Sequence, residues 1–164
     1  MSKAFTREDD ASEALPQRPA VSLPPGVKNY ITREGADQLR REIETLQNQR
    51  SAAATASDRT RTQAIDQRIA QAQQILSSVT VVEPDDAAVD QVRFGVYVTV
   101  KYPAGEIETF RIVGVHEIDL DRNWISWQSP LARALMNARV GDLVQFKAPA
   151  GPQKLGVTAI SLQP

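Results

Sequence analysis

Two stretches of this chain repeat apolar residues in alternating steps of three and four. In the first, Ala36, Leu39, Ile43 and Leu46 lead a register that continues through Arg50 and Ala53. In the second, Thr62, Ile65, Ile69, Ala72, Leu76 and Val79 do the same. The intervening positions are mostly Gln, Arg, Glu, Asp and Ser. This is the heptad stripe of a coiled coil and predicts two helices across residues 32–79. Thr32 is placed to cap the first helix by offering its hydroxyl oxygen to a free backbone N–H. Asp37 and Arg41 stand at i,i+4 spacing with the acid first, so an ion pair is expected between them. A single narrow apolar stripe cannot be buried alone. The short polar link around Ser51 to Thr62 lets the two stripes cover each other as an antiparallel hairpin, which is favoured over a parallel dimer of separate chains. The first arm, about 23 residues, spans roughly 35 Å at 1.5 Å per residue.

The period then changes. Phe94, Val96, Val98 and Val100 alternate as in a strand. Ile107 to Val115 is rich in β-formers, and Trp124 to Trp127 is a short third strand. Ser129-Pro130 opens a helix, Ser as the cap and Pro in the first turn, running through Leu131, Ala134, Leu135 and Met136 toward the turn at Gly141-Asp142. Leu143 to Lys147 and Leu155 to Leu162 supply the last strands, about a turn at Pro149-Ala150-Gly151-Pro152. The expected fold is α+β: an antiparallel coiled-coil hairpin, then a mostly antiparallel sheet with one short helix. The expected units are a flexible tail at 1–29, the hairpin at 30–79 and the second domain at 80–164, with the linker near Pro84-Asp85-Asp86. The tail is interrupted by Pro16, Pro19, Pro24 and Pro25 and has no apolar period to offset its ordering entropy.

Composition narrows the function. There is no cysteine, so disulfides and thiolate metal sites are excluded. No apolar run reaches the roughly 18 to 20 residues of a membrane span, and Glu8, Asp9 and Asp10 take the place of a secretory apolar region. A cytoplasmic protein without a cofactor is expected. The net charge is −1, and acids and bases are balanced in all three segments. Proteins held on DNA or RNA by phosphate neutralisation show a basic face. Its absence argues against direct sequence-specific nucleic-acid binding, so a role in nucleic-acid metabolism would run through a protein partner.

Other candidates weaken on inspection. Asp119, Asp121 and Asn123 match the first ligand positions of a calcium loop, but Trp124 stands where glycine is needed and Pro130 where glutamate is needed. His116 is the single histidine and reads as structural. Trp127 shares a face with Ile125 and is expected in the core; Trp124 is also expected to pack, nearer the surface. There is no phosphate loop or dinucleotide fingerprint.

The ordered motifs resemble a known family. Tyr30-Ile31-Thr32-Arg33-Glu34-Gly35, with Leu39 and Glu42, resembles the start of the first coil helix of the Gre transcription factors. Phe94-Gly95, Phe110-Arg111-Ile112-Val113-Gly114 and Ile125-Ser126 are similar to the family's strand motifs. Ser129-Pro130-Leu131-Ala132-Arg133-Ala134-Leu135, Val140-Gly141-Asp142 and Pro149-Ala150-Gly151 complete the series, the Ala-Arg-Ala-Leu helix and the Pro-Ala-Gly turn being closest to GreB-like members. The resemblance spans roughly residues 30–164. It implies a C-terminal domain of FKBP-like fold resting on the rim of the secondary channel of bacterial RNA polymerase. The hairpin would then reach into the channel. Acidic residues at its tip would help hold a catalytic Mg²⁺ while the polymerase cleaves its own backtracked RNA. The factor is then not itself an enzyme.

Mg²⁺ prefers hard oxygen ligands, which the family supplies as Asp-x-x-Glu at the tip. Here the matching stretch is Ser57-Asp58-Arg59-Thr60-Arg61-Thr62. Asp58 is a vestigial tip acid, and Arg61 stands in place of the second acid. The stretch from Leu46 to Ile65 is also shorter than the family's, so the hairpin is expected to stop several turns short. No catalytic or metal-binding residue is therefore assigned. The resemblance places polymerase contact at Gln128, Ser129, Pro130 and Arg133, in a protein expected to be a monomer. The competing readings are an FKBP-like prolyl isomerase and a coiled-coil scaffold.

Overall fold

The structure, a computed structural model, describes residues 21, 23–84 and 89–164; the tail before Val21 and the linker residues Asp85 and Asp86 lie outside them. Strand β1 (Tyr30–Thr32) leads into helix α1 (Arg33–Thr55), which turns back as α2 (Arg59–Ser78) and ends in β2 (Thr80–Val82). The two arms form one antiparallel hairpin within the chain. Its seam has two apolar groups. Ala36, Leu39, Ala72 and Ile75 pack with Ile31 at the base, and Leu46, Ala53 and Ile65 pack toward the tip. Ile75 is the buried member of the last turn where the heptad pattern pointed to Leu76, which is half-buried. Ile75 joins Ile31, Ala36 and Leu39 in the base cluster, where β1 adds a third element to the seam and draws in the neighbouring position of the last turn. Arg68 to Glu42 at 2.8 Å and Arg50 to Asp66 tie the arms across the seam. Asp37 pairs with Arg40 at 2.7 Å, one residue nearer than the expected Arg41; both spacings lie on one helix face.

The link between the arms is three residues, Ala56 to Asp58, instead of the stretch from Ser51 to Thr62. Ala52, Ala53 and Ala54 are strong helix formers and carry α1 to Thr55. The chain then reverses in a two-bond C-terminal cap. Ser57 N–H donates to Ala54 O and Asp58 N–H to Ala53 O, both at 3.0 Å. Ser57 sits at φ 58, the left-handed conformation that such a cap demands and that glycine usually fills.

The parallel ladder of β1 with β2 pairs Tyr30 with Thr80 and Thr32 with Val82. It clamps the two ends of the hairpin and has no counterpart in the sequence pattern, because three-residue strands are too short to show a period.

The second unit is a five-stranded sheet in the order β5-β4-β3-β7-β6. Its strands are β3 (Tyr97–Lys101), β4 (Ile107–Val113), β5 (Trp124–Ser126), β6 (Leu143–Ala148) and β7 (Gly151–Ser161), with helix α3 (Pro130–Leu135) between β5 and β6. Pairing is antiparallel except between β4 and β5. Phe94, Val96, Val98 and Val100 are all buried as the alternation requires. The strand itself starts only at Tyr97, because Gly95 turns the chain at φ 89 against Pro84. Val98, Val100, Ile112, Leu155 and Val157 form the sheet's inner face, and α3 lays Ala132 and Leu135, both 0% exposed, onto it. Trp124 is the more deeply buried tryptophan and Trp127 is half-buried. Arg111 and Arg122 lie 4.5 and 5.1 Å from the Trp124 ring centre and cover it. Among the described residues no helix is long and apolar enough to cross a membrane.

Candidate functional site

Two places on the molecule hold the residues singled out by sequence, and a third, the joint between the two units, holds residues that sequence reasoning did not assign. The first place is the hairpin tip. Asp58 is the N-cap of α2: its carboxylate oxygen accepts the Arg61 N–H at 3.0 Å, and its backbone carbonyl accepts the Thr62 hydroxyl at 2.7 Å. This satisfies one of the free N–H groups of the first helical turn. Asp58 and Arg61 are therefore brought together, as cap and capped residue. Both are exposed, and so is Arg59. Two cationic side chains flank a carboxylate already used by the backbone, and the first turn of α2 holds no acid. This arrangement does not fit the Asp-x-x-Glu pair that a shared Mg²⁺ would require, since the guanidinium of Arg61 repels a cation where the second acid would attract it.

The second place is the entry to α3. Ser129 caps the helix, its hydroxyl accepting the Ala132 N–H at 3.1 Å, and Pro130 occupies the first turn, where its missing N–H costs nothing. The Gln128 N–H donates to the Ser126 hydroxyl at 3.1 Å. Ala132 and Leu135 point into the core, so Pro130 and Arg133 are left on the exposed side of the same short helix. Gln128 and Ser129 are half-buried and Pro130 and Arg133 exposed at the entry to α3, in the second unit, whereas Asp58 and Arg61 lie at the far end of the hairpin.

The third place is where the hairpin base meets the sheet. Tyr30 packs at a tilt against both Phe94 and Trp127, with ring centres 5.8 and 5.3 Å away, so the segment leading into α3 rests on the same joint. Arg111, from β4, reaches Glu34 on α1 at 2.5 Å. Glu117 follows β4 and is buried; its carboxylate accepts from Thr32 N–H at 3.0 Å, Gly114 N–H at 2.8 Å and the Thr32 hydroxyl. Tyr30, Gly35 and Gly114 were visible as motif members without a role. Glu117 carried no signal, because nothing in Val-His-Glu-Ile separates a buried acid from an exposed one. His116 stands beside this joint, its Nε2 3.2 Å from the Asn29 side-chain nitrogen, in keeping with its structural reading. Asp119 spends its carboxylate on the N–H groups of Asp121 and Arg122, a local turn.

Comparison with known proteins converges on one family. The family model of the C-terminal region of transcription elongation factors GreA/GreB matches residues 83–162. Transcription elongation factor GreB of Neisseria meningitidis serogroup B is 36% identical over 152 residues, covering 81% of this chain and 93% of that protein. Transcription elongation factor GreA of Thermotoga petrophila is 32% identical over 152 residues, covering 81% of this chain and 97% of its own. Among solved structures, the GreA factor homolog 1 of Thermus thermophilus aligns with 82% of this chain and 99% of its own at 24% identity and a TM-score of 0.39. The matches to the GreB and GreA relatives cover hairpin and sheet together, and the chain belongs to the GreA/GreB family of transcription elongation factors.

Proposed function

We propose that this elongation factor docks on bacterial RNA polymerase through the α3 entry and inserts its hairpin into the secondary channel without stimulating transcript cleavage. The observation that carries the proposal is the tip: Asp58 is engaged as a helix cap, and Arg61 replaces the second acid. Reach supports it too. An arm of 23 residues gives about 35 Å, and the expected family hairpin is several turns longer. The protein then acts on the polymerase as a monomeric occupant of the channel, and the polymerase remains the enzyme. In this proposal residues 30–79 are the hairpin and 80–164 the docking domain, with β2 at the start of the latter returning to pair with β1 at the hairpin base; the preceding segment plays no part in it.

Docking is assigned to Gln128, Ser129, Pro130 and Arg133 because they stand together in the chain at the entry to α3 and because Pro130 and Arg133 are exposed and not consumed by the core. The prolyl-isomerase alternative finds no support: Tyr30, Phe94 and Trp127 pack on one another at the joint and leave no open aromatic pocket there. A scaffold formed through the coil is disfavoured because the apolar seam is already covered by the chain's own second helix.

The test is competition on a backtracked elongation complex. Adding this protein is expected to reduce cleavage stimulated by an authentic Gre factor. Gln128→Asp and Arg133→Glu are expected to alter polymerase affinity with folding intact. Arg61→Glu restores the charge of the acid pair but not its reach, so it stays inactive, and only a lengthened hairpin bearing both acids gains activity. Robust cleavage by the unaltered protein would overturn the proposal.

A further inference from the structure

The geometry points to Glu117 as a positioning residue: its buried carboxylate joins the hairpin base to the docking domain and thereby fixes the direction in which the tip extends. Among the described residues, Thr32 and Glu117 are the two polar or charged side chains that are buried, 3% and 8% exposed, and they are bonded to each other. One oxygen of Glu117 accepts from the N–H of Thr32 on β1 and from the N–H of Gly114 after β4, so it bridges the two units. The other accepts the Thr32 hydroxyl, whose oxygen in turn accepts the Gly35 N–H and caps α1. The carboxylate is thus bonded directly to the residue that starts the helix.

The surroundings are shaped for this one group. A Cβ at Gly35 would lie 2.2 Å from Glu117 Oε1, and a Cβ at Gly114 would lie 2.2 Å from the Tyr30 carbonyl oxygen. Neither glycine has a positive φ, so conformational freedom does not account for them. Space does: side chains there would force the carboxylate or β1 outward. Arg111 with Glu34, and Tyr30 against Phe94 and Trp127, flank the bridge and oppose rotation about it. The need for such a joint follows from leverage. A tilt of about 10° at the base of a 35 Å arm moves the tip by about 6 Å.

The effect on the polymerase rests on the proposed occupation of the channel; the effect on domain orientation does not. The chain has no cysteine, so Ser57→Cys at the tip and Lys154→Cys on β7 allow paired spin labels for a distance measurement on the free protein. The expected native result is one narrow distance distribution. Glu117→Ala and Gly35→Ala are both expected to broaden it. The two variants act oppositely on the helix itself, since alanine is the better helix former at position 35, and far-ultraviolet circular dichroism confirms that each is folded. Glu117→Gln can place its amide oxygen on the two N–H groups and its NH₂ on the Thr32 oxygen, and is expected to restore the narrow distribution. A narrow distribution in both alanine variants would overturn the assignment. So would broadening in Glu117→Ala alone, because lost packing would then explain it.

A photo-crosslinker attached to the thiol of the single Ser57→Cys variant then reports the tip in the polymerase-bound state. A discrete crosslink is expected for the native joint, falling by about tenfold when Gly35→Ala is added and geometry no longer permits docking and insertion together. A protein with the native joint that binds polymerase without any tip crosslink would refute the channel reading and leave the orientation result standing.

Discussion

Replacing Asp58 separates the two roles that a tip carboxylate can have. In the structure its oxygen accepts the Arg61 N–H at 3.0 Å, and this is the one side-chain cap of α2. Asp58→Ala removes that acceptor, and loss of such a cap costs about 1 kcal/mol. The lost attraction between a carboxylate and the helix N-terminus adds a few tenths. For a chain of this size melting as one unit, as the buried joint implies, 1 kcal/mol corresponds to a fall in Tm of roughly 2–4 °C. Asp58→Asn keeps an oxygen in the capping position and should melt within about half a kcal/mol of the parent. Thermal melting followed by circular dichroism reads both. In the competition assay, Asp58→Asn is expected to match the parent, because the charge has no metal to hold. Equal destabilisation of the two variants would refute the cap. Loss of competition in a fully stable Asp58→Asn would refute the claim that the carboxylate serves only the fold.

Three further outcomes are expected. Ser57→Gly should raise Tm, since a residue with a Cβ at φ 58 carries about 1 kcal/mol of strain that glycine avoids; an unchanged or lower Tm would count against the cap geometry. Ile65→Ala should destabilise the hairpin by about 2–4 kcal/mol, because Ile65 is 0% exposed beside Leu46 and Ala53; chemical denaturation measures this, and a cost of a few tenths would mean that the seam is not formed. Burial, and then the hydrogen bond its hydroxyl donates to Glu108, push the Tyr102 phenol up to about 12 from 10.0. Because the neutral form is favoured in the fold, this contribution is complete below pH 10 and is lost as pH rises toward 12. Ultraviolet titration of phenolate should show a late component that Tyr102→Phe removes and Glu108→Gln moves downward, and its persistence in Tyr102→Phe would refute the reading.

Local periodicity and end signals were enough to specify the elements. Leu39, Leu46, Ile65 and Ala72 repeat within a few turns of one another, and a stripe that narrow has to be covered by its neighbour, so the hairpin was legible. Val98 and Val100 alternate within one strand. Ser129-Pro130 and Thr32 mark helix starts by chemistry confined to one turn. The substitution at Arg61 was equally plain, because a change of charge sign needs no coordinates. The position of the turn was less so: alanines extend α1 to Thr55 through propensity alone, and only the paired cap bonds of Ser57 and Asp58 decide where it stops. The joint, by contrast, exists only in three dimensions. Thr32 and Glu117 are 85 residues apart, and Arg111 and Glu34 are 77 apart. Such pairs leave no periodic trace. A glutamate is an exposed residue by default, and it becomes a buried bridge only where Thr32 and Gly114 present their N–H groups together and Gly35 leaves the space for its carboxylate.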